Sequence, residues 1–168
     1  MALSAKKLKV GDTHSEQIVD NLTRTQLVQY AGASGDYNPV HTDELFTTKV
    51  AGYPSVFAHG MCSMGMTGKM LTNYVGDGRL TQYGVRFTRQ VWPGDSLTAK
   101  AMVKAIREEG GKHFVDLDVS TVNQDGQEVI SGYASARNDA KCAMARGDAA
   151  RHVSTTIYST HGKKRRDP

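Results

Sequence analysis

The chain has 168 residues, a length that fits one domain, and a domain of this size buries about 68–70% of its unfolded surface. Apolar residues make up 39% and charged residues 23%, as in ordinary globular proteins. No run of about 18 apolar residues occurs, which excludes a membrane-spanning helix, and the first ten residues lack the apolar stretch of a signal peptide. We therefore expect a cytoplasmic protein without a membrane partner.

The formal net charge of +4 is modest and is partly an effect of a basic run near the C-terminus, at residues 163–166. Removing its four positive charges leaves a net charge of about zero. A basic run can attract nucleic acid or an anionic membrane, but no aromatic residues are interleaved with this one and no binding motif accompanies it. We interpret it as a solvated chain end and predict no nucleic-acid partner.

The cofactor motifs that a sequence can display are missing. Cys62 and Cys142 are the only cysteines and form no C-x-x-C pair, and neither H-E-x-x-H nor G-x-G-x-x-G occurs. We expect Cys62 to pack as a small apolar residue in a buried helix. The sequence therefore predicts no metal and no redox cofactor.

In chain order, the first predicted elements are a strand and a capped helix. Residues 17–22 suit a strand, and Thr23 is a good N-cap for a helix over residues 24–33. Pro39 stops any continuation, so residues 34–41 form a rigid turn, and a second short helix is expected to begin near Thr42.

A long helix follows over residues 59–75, after a loop at 49–57, and a Gly-Asp-Gly turn ends it. Gly65 and Gly68 weaken it by about 1 kcal/mol each, and we expect them to allow close approach to a sheet. The predicted buried face recurs at three- and four-residue steps: Met61, Met64, Gly65, Gly68, Leu71, Thr72 and Val75.

The second half of the chain alternates with a period of two, which is strand spacing. The predicted strands lie at 81–91, 97–103, 115–121 and 128–137, joined by short turns that imply an antiparallel sheet. These elements predict an α+β domain in which one sheet wraps against one central helix. Residues 138–168 are predicted to be a loosely ordered extension with a short helix near 141–146.

The densest candidate for chemistry is the segment 33–41, which holds Asp36 and His41 five residues apart. A turn stiffened by Pro39 can hold both side chains toward one pocket. The alternative is an Asx-type turn in which Asp36 and Asn38 bond local backbone, and the spacing leaves both open.

A second cluster, at residues 57–61, begins the long helix. Backbone N–H groups there lack intrahelical partners and lie at the positive end of the helix dipole, so they can bind a carbonyl oxygen that gains negative charge. Gly60 would let a ligand approach the backbone. For His59 a packed or capping role competes with a catalytic one.

Together the two clusters resemble a known family. The run GDYNPVH at 35–41, followed by AHGM at 58–61, closely resembles the MaoC-like, R-specific enoyl thioester hydratases of the hot-dog fold. The longer run at 30–44 is similar to the catalytic subunit of mycobacterial 3-hydroxyacyl-ACP dehydratases. The resemblance covers about residues 6–137 and implies a single hot-dog domain at 1–137, with an antiparallel sheet wrapped around a long central helix.

The resemblance implies a hydro-lyase that interconverts trans-2-enoyl and (R)-3-hydroxyacyl thioesters of coenzyme A or acyl carrier protein in fatty acid metabolism. It makes Asp36 and His41 catalytic: they hold one water that attacks C3, with Asp36 as the proton carrier for C2. The Gly60 N–H would bind the thioester oxygen, with His59 beside it as a substrate-binding residue, and Asn38 would orient the turn.

The resemblance also implies a dimer, either a homodimer or a heterodimer with a related hot-dog subunit. Two alternative functions remain open, a hot-dog thioesterase and a non-catalytic subunit that shapes the acyl tunnel of a heteromeric dehydratase. The intact set of Asp36, Asn38 and His41 argues against both.

Overall fold

The computed structural model describes residues 8–138, which form one five-stranded antiparallel sheet packed against one long helix. The helices are α1 (Arg24–Ser34), α2 (Glu44–Lys49) and α3 (Gly60–Val75), and a 3₁₀ turn spans Pro39–His41. The strands are β1 (Thr13–Val19), β2 (Leu80–Phe87), β3 (Leu97–Glu109), β4 (Lys112–Val122) and β5 (Glu128–Arg137). The predicted α+β architecture is confirmed.

The strands lie in the order β1-β3-β4-β5-β2, and every neighbouring pair is antiparallel. Strands β3, β4 and β5 form a meander through short turns, while β1 and β2 are the two edges. The strand predicted at 17–22 lies instead at 13–19, because its pairing with β3 starts at Thr13 opposite Met102. Strand β2 ends at Phe87 rather than at residue 91.

Helix α1 begins where the sequence predicts. Thr23 accepts a hydrogen bond from the Gln26 N–H and the Gln26 side chain accepts one from the Thr23 N–H, which is a capping box. The helix runs through Gly32 and ends at Gly35, whose positive φ of 74° is the left-handed conformation that glycine adopts readily. Helix α2 begins at Glu44, later than expected, because Asp43 caps it.

The main core lies between α3 and the inner face of the sheet. Met70, Leu71 and Val75 of the helix are each at most 1% exposed. They pack on a set of small and β-branched strand residues: Ala99, Ala101, Val103, Val115, Leu117, Val119, Ala134 and Ala136. Because alanine has no side-chain atoms beyond Cβ, α3 can pack close to the backbone of the central strands.

The predicted buried face of α3 is partly wrong. Leu71 and Val75 are buried, but the other buried positions are Ser63, Thr67 and Met70, whereas Met61 is 56% exposed. Thr67 can be buried because its hydroxyl is hydrogen-bonded to the Thr121 hydroxyl at 2.8 Å.

Of the two glycines expected to approach the sheet, only Gly68 does so. A Cβ at Gly68 would lie 3.3 Å from the Tyr83 ring of β2. Gly65 is exposed, and a Cβ placed there would meet no atom of another segment within 4 Å, so that prediction is wrong.

A second core cluster fixes the segments around α1 and the loop before α3. Leu22 and Leu27 are 1% exposed, and they pack with Val56, Ala58, Val91 and Leu97, among others. The Ala58 N–H donates to Val91 O at 2.8 Å, so the residues before α3 are held by both backbone and side chains.

The extension predicted at 138–168, with its helix near 141–146, lies outside the described residues except for Asn138. That residue is 2% exposed, and its N–H donates to His113 O at 2.8 Å. The domain boundary at residue 137 therefore stays a prediction. None of the helices described between residues 8 and 138 has the length and apolar character needed to cross a membrane.

Leu71→Ala is expected to lower the free energy of unfolding by about 2–5 kcal/mol, because it leaves a cavity between helix and sheet. Leu45→Ala is the matched control, since Leu45 of α2 is 73% exposed and its truncation should change stability by less than about 0.5 kcal/mol. Urea denaturation of both variants makes the comparison. Equal losses in the two would contradict this description of the core.

Candidate active site

The end of α1 delivers Asp36 to the site. The left-handed Gly35 turns the chain out of the helix, and its N–H still donates to Ala31 O at 3.0 Å. The Asp36 N–H then donates to the Ser34 hydroxyl at 3.3 Å. The residue is therefore fixed by its backbone, while its side chain remains 54% exposed.

Two successive Asx-type contacts shape the turn that follows. Asp36 Oδ1 accepts from the Asn38 N–H at 3.2 Å, and Asn38 Oδ1 accepts from the Val40 N–H at 3.2 Å. Asn38 is the cap of the 3₁₀ turn and Pro39 is its first residue. The Asx-type turn is thus present, but it engages only Oδ1 of Asp36 and leaves Oδ2 for other contacts.

His41 is anchored to the loop that precedes α3. Its Nδ1 lies 2.7 Å from Phe57 O, and since a carbonyl oxygen only accepts, Nδ1 carries the proton and the neutral ring keeps its lone pair on Nε2. The Phe57 N–H donates back to Val40 O at 3.3 Å. Two hydrogen bonds therefore join the turn to the loop, one at Val40 and one at His41 itself.

Glu44 ties the same loop to α1 and α2. Its carboxylate accepts from Arg24, from Ser55 and from the Val56 N–H. The hydrogen bond from Arg24, above all, holds the pKa of Glu44 below its ordinary value. The loop that presents the Phe57 carbonyl is thus braced by a charged group.

His59 lies at the N-terminus of α3 and is 3% exposed. Its Nε2 lies 3.0 Å from Asp36 O and 3.8 Å from Asp36 Oδ2. The ring stacks on His41 with centroids 3.7 Å apart, and Tyr30 of α1 lies 4.9 Å away on a tilted plane. His59 makes no side-chain hydrogen bond that caps α3, so it is packed at the helix start without capping it, and its role towards substrate stays a prediction.

The structure thus brings together the two predicted catalytic residues and one predicted substrate-binding residue. A carboxylate oxygen of Asp36, a ring nitrogen of His41 and a ring nitrogen of His59 all lie within 4.8 Å of one another. Two hydrogen bonds of about 2.8 Å that share one water oxygen separate their outer atoms by roughly 4.6 Å. Asp36 and His41 can therefore hold a single water molecule between them.

A cleft of about 240 Å³ opens over these side chains. Its walls come from α1, the turn, the start of α3 and the end of β2: Tyr30, Ser34, Asp36, His41, His59, Gly60, Met61 and Phe87. Met61 and Phe87 are 56% and 44% exposed. Apolar walls with a few converging polar groups are typical of a small-molecule site.

The electrostatic setting keeps His41 neutral. Burial lowers the pKa of His41 below its usual value of 6.5 and the neighbouring His59 lowers it further, while the Phe57 carbonyl and the Asp36 charge oppose the shift. At neutral pH the ring therefore offers a basic nitrogen, as a general base requires.

The start of α3 supplies the second functional feature. The N–H groups of Cys62 and Ser63 donate to His59 O, whereas within residues 8–138 those of Gly60 and Met61 have no acceptor. A Cβ at Gly60 would lie 3.0 Å from the Phe87 ring. Glycine therefore lets Phe87 cover the helix start and keeps a free N–H at the edge of the cleft.

The three clustered side chains are also candidate metal ligands, and they are the one such group among residues 8–138. A cation would bind through a carboxylate oxygen and bare ring nitrogens. His41 Nδ1 and His59 Nε2 are both donors to carbonyl oxygens, so a cation at either atom would displace a hydrogen bond. The same bonding leaves His41 Nε2 with its lone pair, which can accept a hydrogen bond from water or bind a cation.

Cys62, by contrast, has no activating environment. Burial raises the pKa of its thiol above the ordinary value, and the thiolate is the reactive form. The expectation that it packs as an inert residue on α3 agrees with its half-buried position.

Sequence reasoning missed several residues that build the site. The Phe57 carbonyl, the Tyr30 ring and the Glu44 carboxylate act through contacts between distant segments. No local pattern indicates such contacts. Phe87, which covers Gly60, lies in a predicted strand, but its place over the helix start depends on the pairing of β2 with β5.

The chain belongs to the MaoC like domain family, whose model matches residues 6–124. It is 37% identical to 3-hydroxyacyl-thioester dehydratase Y of Mycobacterium tuberculosis over 90 residues, which are 52% of this chain but only 31% of that protein's length. It resembles the solved R-hydratase PhaJ1 of Pseudomonas aeruginosa with a TM-score of 0.71 and 26% identity, over 80% of this chain and 84% of that one.

The fold also matches the HadBC complex of Mycobacterium tuberculosis, a 3R-hydroxyacyl-ACP dehydratase, with a TM-score of 0.61 and 19% identity. The likeness covers 79% of this chain and 98% of that one. At 19% identity it shows a shared fold and nothing more. The predicted family and the predicted hot-dog fold are confirmed.

Replacing Asp36 by Asn should lower the pKa of His41 further, because it removes the negative charge that favours the imidazolium. NMR titration of the His41 ring in both proteins measures this shift. Asp125→Asn, in the β4–β5 turn, is the control and should leave the His41 titration unchanged. A His41 pKa that is unaltered or raised by Asp36→Asn would contradict the described proximity.

Proposed function

We propose that the protein is a hydro-lyase that adds water to trans-2-enoyl thioesters and removes it from (R)-3-hydroxyacyl thioesters in fatty acid metabolism. The observation that carries the proposal is the distance of at most 4.8 Å between a carboxylate oxygen of Asp36 and a ring nitrogen of His41. Membership of the MaoC like domain family and likeness to proteins named as a dehydratase and an R-hydratase support it.

The water would be held by two acceptors. One of its hydrogens points to Asp36 Oδ2 and the other to His41 Nε2, the nitrogen that keeps its lone pair because Nδ1 donates to Phe57 O. With both hydrogens engaged, a lone pair of the water oxygen is free to attack the substrate. Such fixed orientation lowers the entropy cost of the addition.

In the hydration direction the water oxygen bonds to C3 while Asp36 accepts one proton. Asp36 then returns a proton to C2 on the same face of the former double bond. One H and one OH are thus added, and both side chains end in their starting ionisation states. Dehydration is the reverse sequence through the same groups.

The thioester carbonyl would lie at the start of α3. As C3 is attacked, negative charge builds up on the carbonyl oxygen, and the N–H of Gly60, which has no acceptor among residues 8–138, can donate to it. The positive end of the α3 dipole adds to this stabilisation. His59 is expected to hold the Asp36 backbone beside the substrate, and Asn38 to shape the turn.

The acyl carrier would be coenzyme A or acyl carrier protein. A second groove of about 270 Å³ shares Gly60 and Phe87 with the cleft and is also lined by Arg89, which could meet a phosphate of the carrier. We expect a homodimer, or a heterodimer with a related hot-dog subunit, because β2 is an edge strand of the sheet that residues 8–138 form. We also expect the protein to be cytoplasmic.

Asp36→Asn and His41→Gln should each reduce kcat for hydration of crotonyl-CoA by about 10²–10⁴-fold, since each removes a group that exchanges or orients a proton. Loss of enoyl absorbance measures the rate. His14→Gln is the control for His41, because His14 stacks on Tyr74 in another part of the fold, and Asp125→Asn is the control for Asp36.

An Asp36→Asn variant as active as wild type would refute the proposed chemistry. Release of free thiol without hydration would indicate the thioesterase. Inactivity of the wild type with both CoA and ACP substrates would favour the non-catalytic tunnel subunit.

Gly60→Ala should lower kcat/KM by about tenfold or more, because the added methyl must displace Phe87 at the mouth of the cleft. Gly65→Ala is the matched control on the same helix, since Gly65 is exposed with nothing within 4 Å, and it should stabilise α3 by about 1 kcal/mol without loss of rate. Equal activity of the two variants would contradict the proposal that the N–H of Gly60 binds the thioester oxygen.

A further inference from the structure

Two buried polar atoms, one on α3 and one on its N-cap residue, have no partner within the described part of the chain. They are Nδ1 of His59 and the hydroxyl oxygen of Ser63. The two residues are 3% and 2% exposed, so bulk water does not reach them. Buried polar atoms without hydrogen bonds are rare and call for a physical explanation.

The two residues belong to the same turn of backbone. The Ser63 N–H donates to His59 O at 3.4 Å, so Ser63 follows the N-cap residue His59 by one helical turn. A buried helical serine commonly returns its hydroxyl to the carbonyl four residues before, but the Ser63 hydroxyl makes no such bond. It therefore remains available to a neighbour.

The chemistry of the two atoms is complementary. His59 Nε2 lies 3.0 Å from Asp36 O, so Nε2 carries the proton, and Nδ1 of the neutral ring is an acceptor. The Ser63 O–H is a donor that can rotate about its C–O bond. One donor and one acceptor, both buried and both unsatisfied, stand one helical turn apart.

We propose that Ser63 is a positioning residue whose hydroxyl donates a hydrogen bond to one bridging water molecule, which in turn donates to Nδ1 of His59. This bridge completes a chain that runs from Ser63 through the His59 ring to the Asp36 carbonyl. Its effect is to hold the ring in the orientation that supports the Asp36 backbone and stacks on His41. The role in catalysis rests on the hydro-lyase function proposed above.

The chain of contacts predicts a specific kinetic effect. Loss of the Ser63 hydroxyl lets the His59 ring reorient, and Asp36 and His41 then hold their water less well. The substrate is bound mainly by the cleft walls and the start of α3. Ser63→Ala should therefore lower kcat about tenfold and leave KM within about twofold.

The test combines kinetics with NMR of the full chain labelled with ¹⁵N at histidine. The long-range ¹H–¹⁵N pattern of an imidazole reports which nitrogen carries the proton, and His59→Gln assigns the His59 signals. In wild type, His59 should be a single Nε2–H tautomer. In Ser63→Ala the pattern should change together with kcat, and Ser63→Thr, which keeps the hydroxyl, should restore both.

Thr67→Val is the matched control. It also removes a buried hydroxyl from α3, but that hydroxyl pairs with Thr121, so kcat and the His59 pattern should stay as in wild type. An unchanged His59 pattern in Ser63→Ala, or an equal loss of kcat in Thr67→Val, would overturn the proposal.

A wild-type ring protonated on Nδ1 would also overturn it, even if Ser63→Ala did not fold. A wild type without hydratase activity would refute the proposed function alone, since the NMR result decides the contact separately.

Discussion

The hydrogen bond from His41 Nδ1 to the Phe57 carbonyl, at 2.7 Å, is the contact on which the site depends. It decides which nitrogen of the ring keeps its lone pair, and it joins the turn that carries Asp36 to the loop that leads into α3. A carbonyl partner cannot reverse its role, so the tautomer is fixed by main-chain geometry. That geometry is in turn held by the backbone bonds of Phe57 to Val40 and of Ala58 to Val91.

The fold explains why these segments meet. A sheet with alanines at its centre seats α3 closely, and a second apolar cluster pins α1 and the loop before α3 to the same end of the sheet. The start of α3, the end of α1 and the end of β2 then surround one cleft. Core packing thus holds the segments of the site in place, a role that metals or disulfides often have in smaller proteins.

Much of this arrangement could be predicted from local sequence. Thr23 caps α1 as its chemistry indicates, Gly76 ends α3, and β5 spans Glu128–Arg137 as the alternation predicts. These features depend on neighbours in the sequence. The turn around Asp36 and His41 could likewise be predicted, since Asn38 and Pro39 fix the conformation of the neighbouring backbone.

Other features depend on partners distant in the sequence and escaped prediction. The buried face of α3 includes Thr67 because Thr121 of β4 satisfies its hydroxyl, and a periodicity based on apolar residues cannot foresee that. In the same way, His59 contacts the Asp36 carbonyl across 23 residues. The strand order, which sets β2 beside β5, also follows from tertiary packing and not from any single segment.

In the proposed function, a carboxylate and an imidazole deliver both parts of one water molecule from one side of the substrate. Hydration of crotonyl-CoA in D₂O, with the product's configuration at C2 and C3 read by NMR, tests it most directly. We expect an R alcohol with deuterium added to C2 on the same face as the oxygen at C3. Addition to opposite faces would contradict it, because two groups that share one bound water cannot reach both sides.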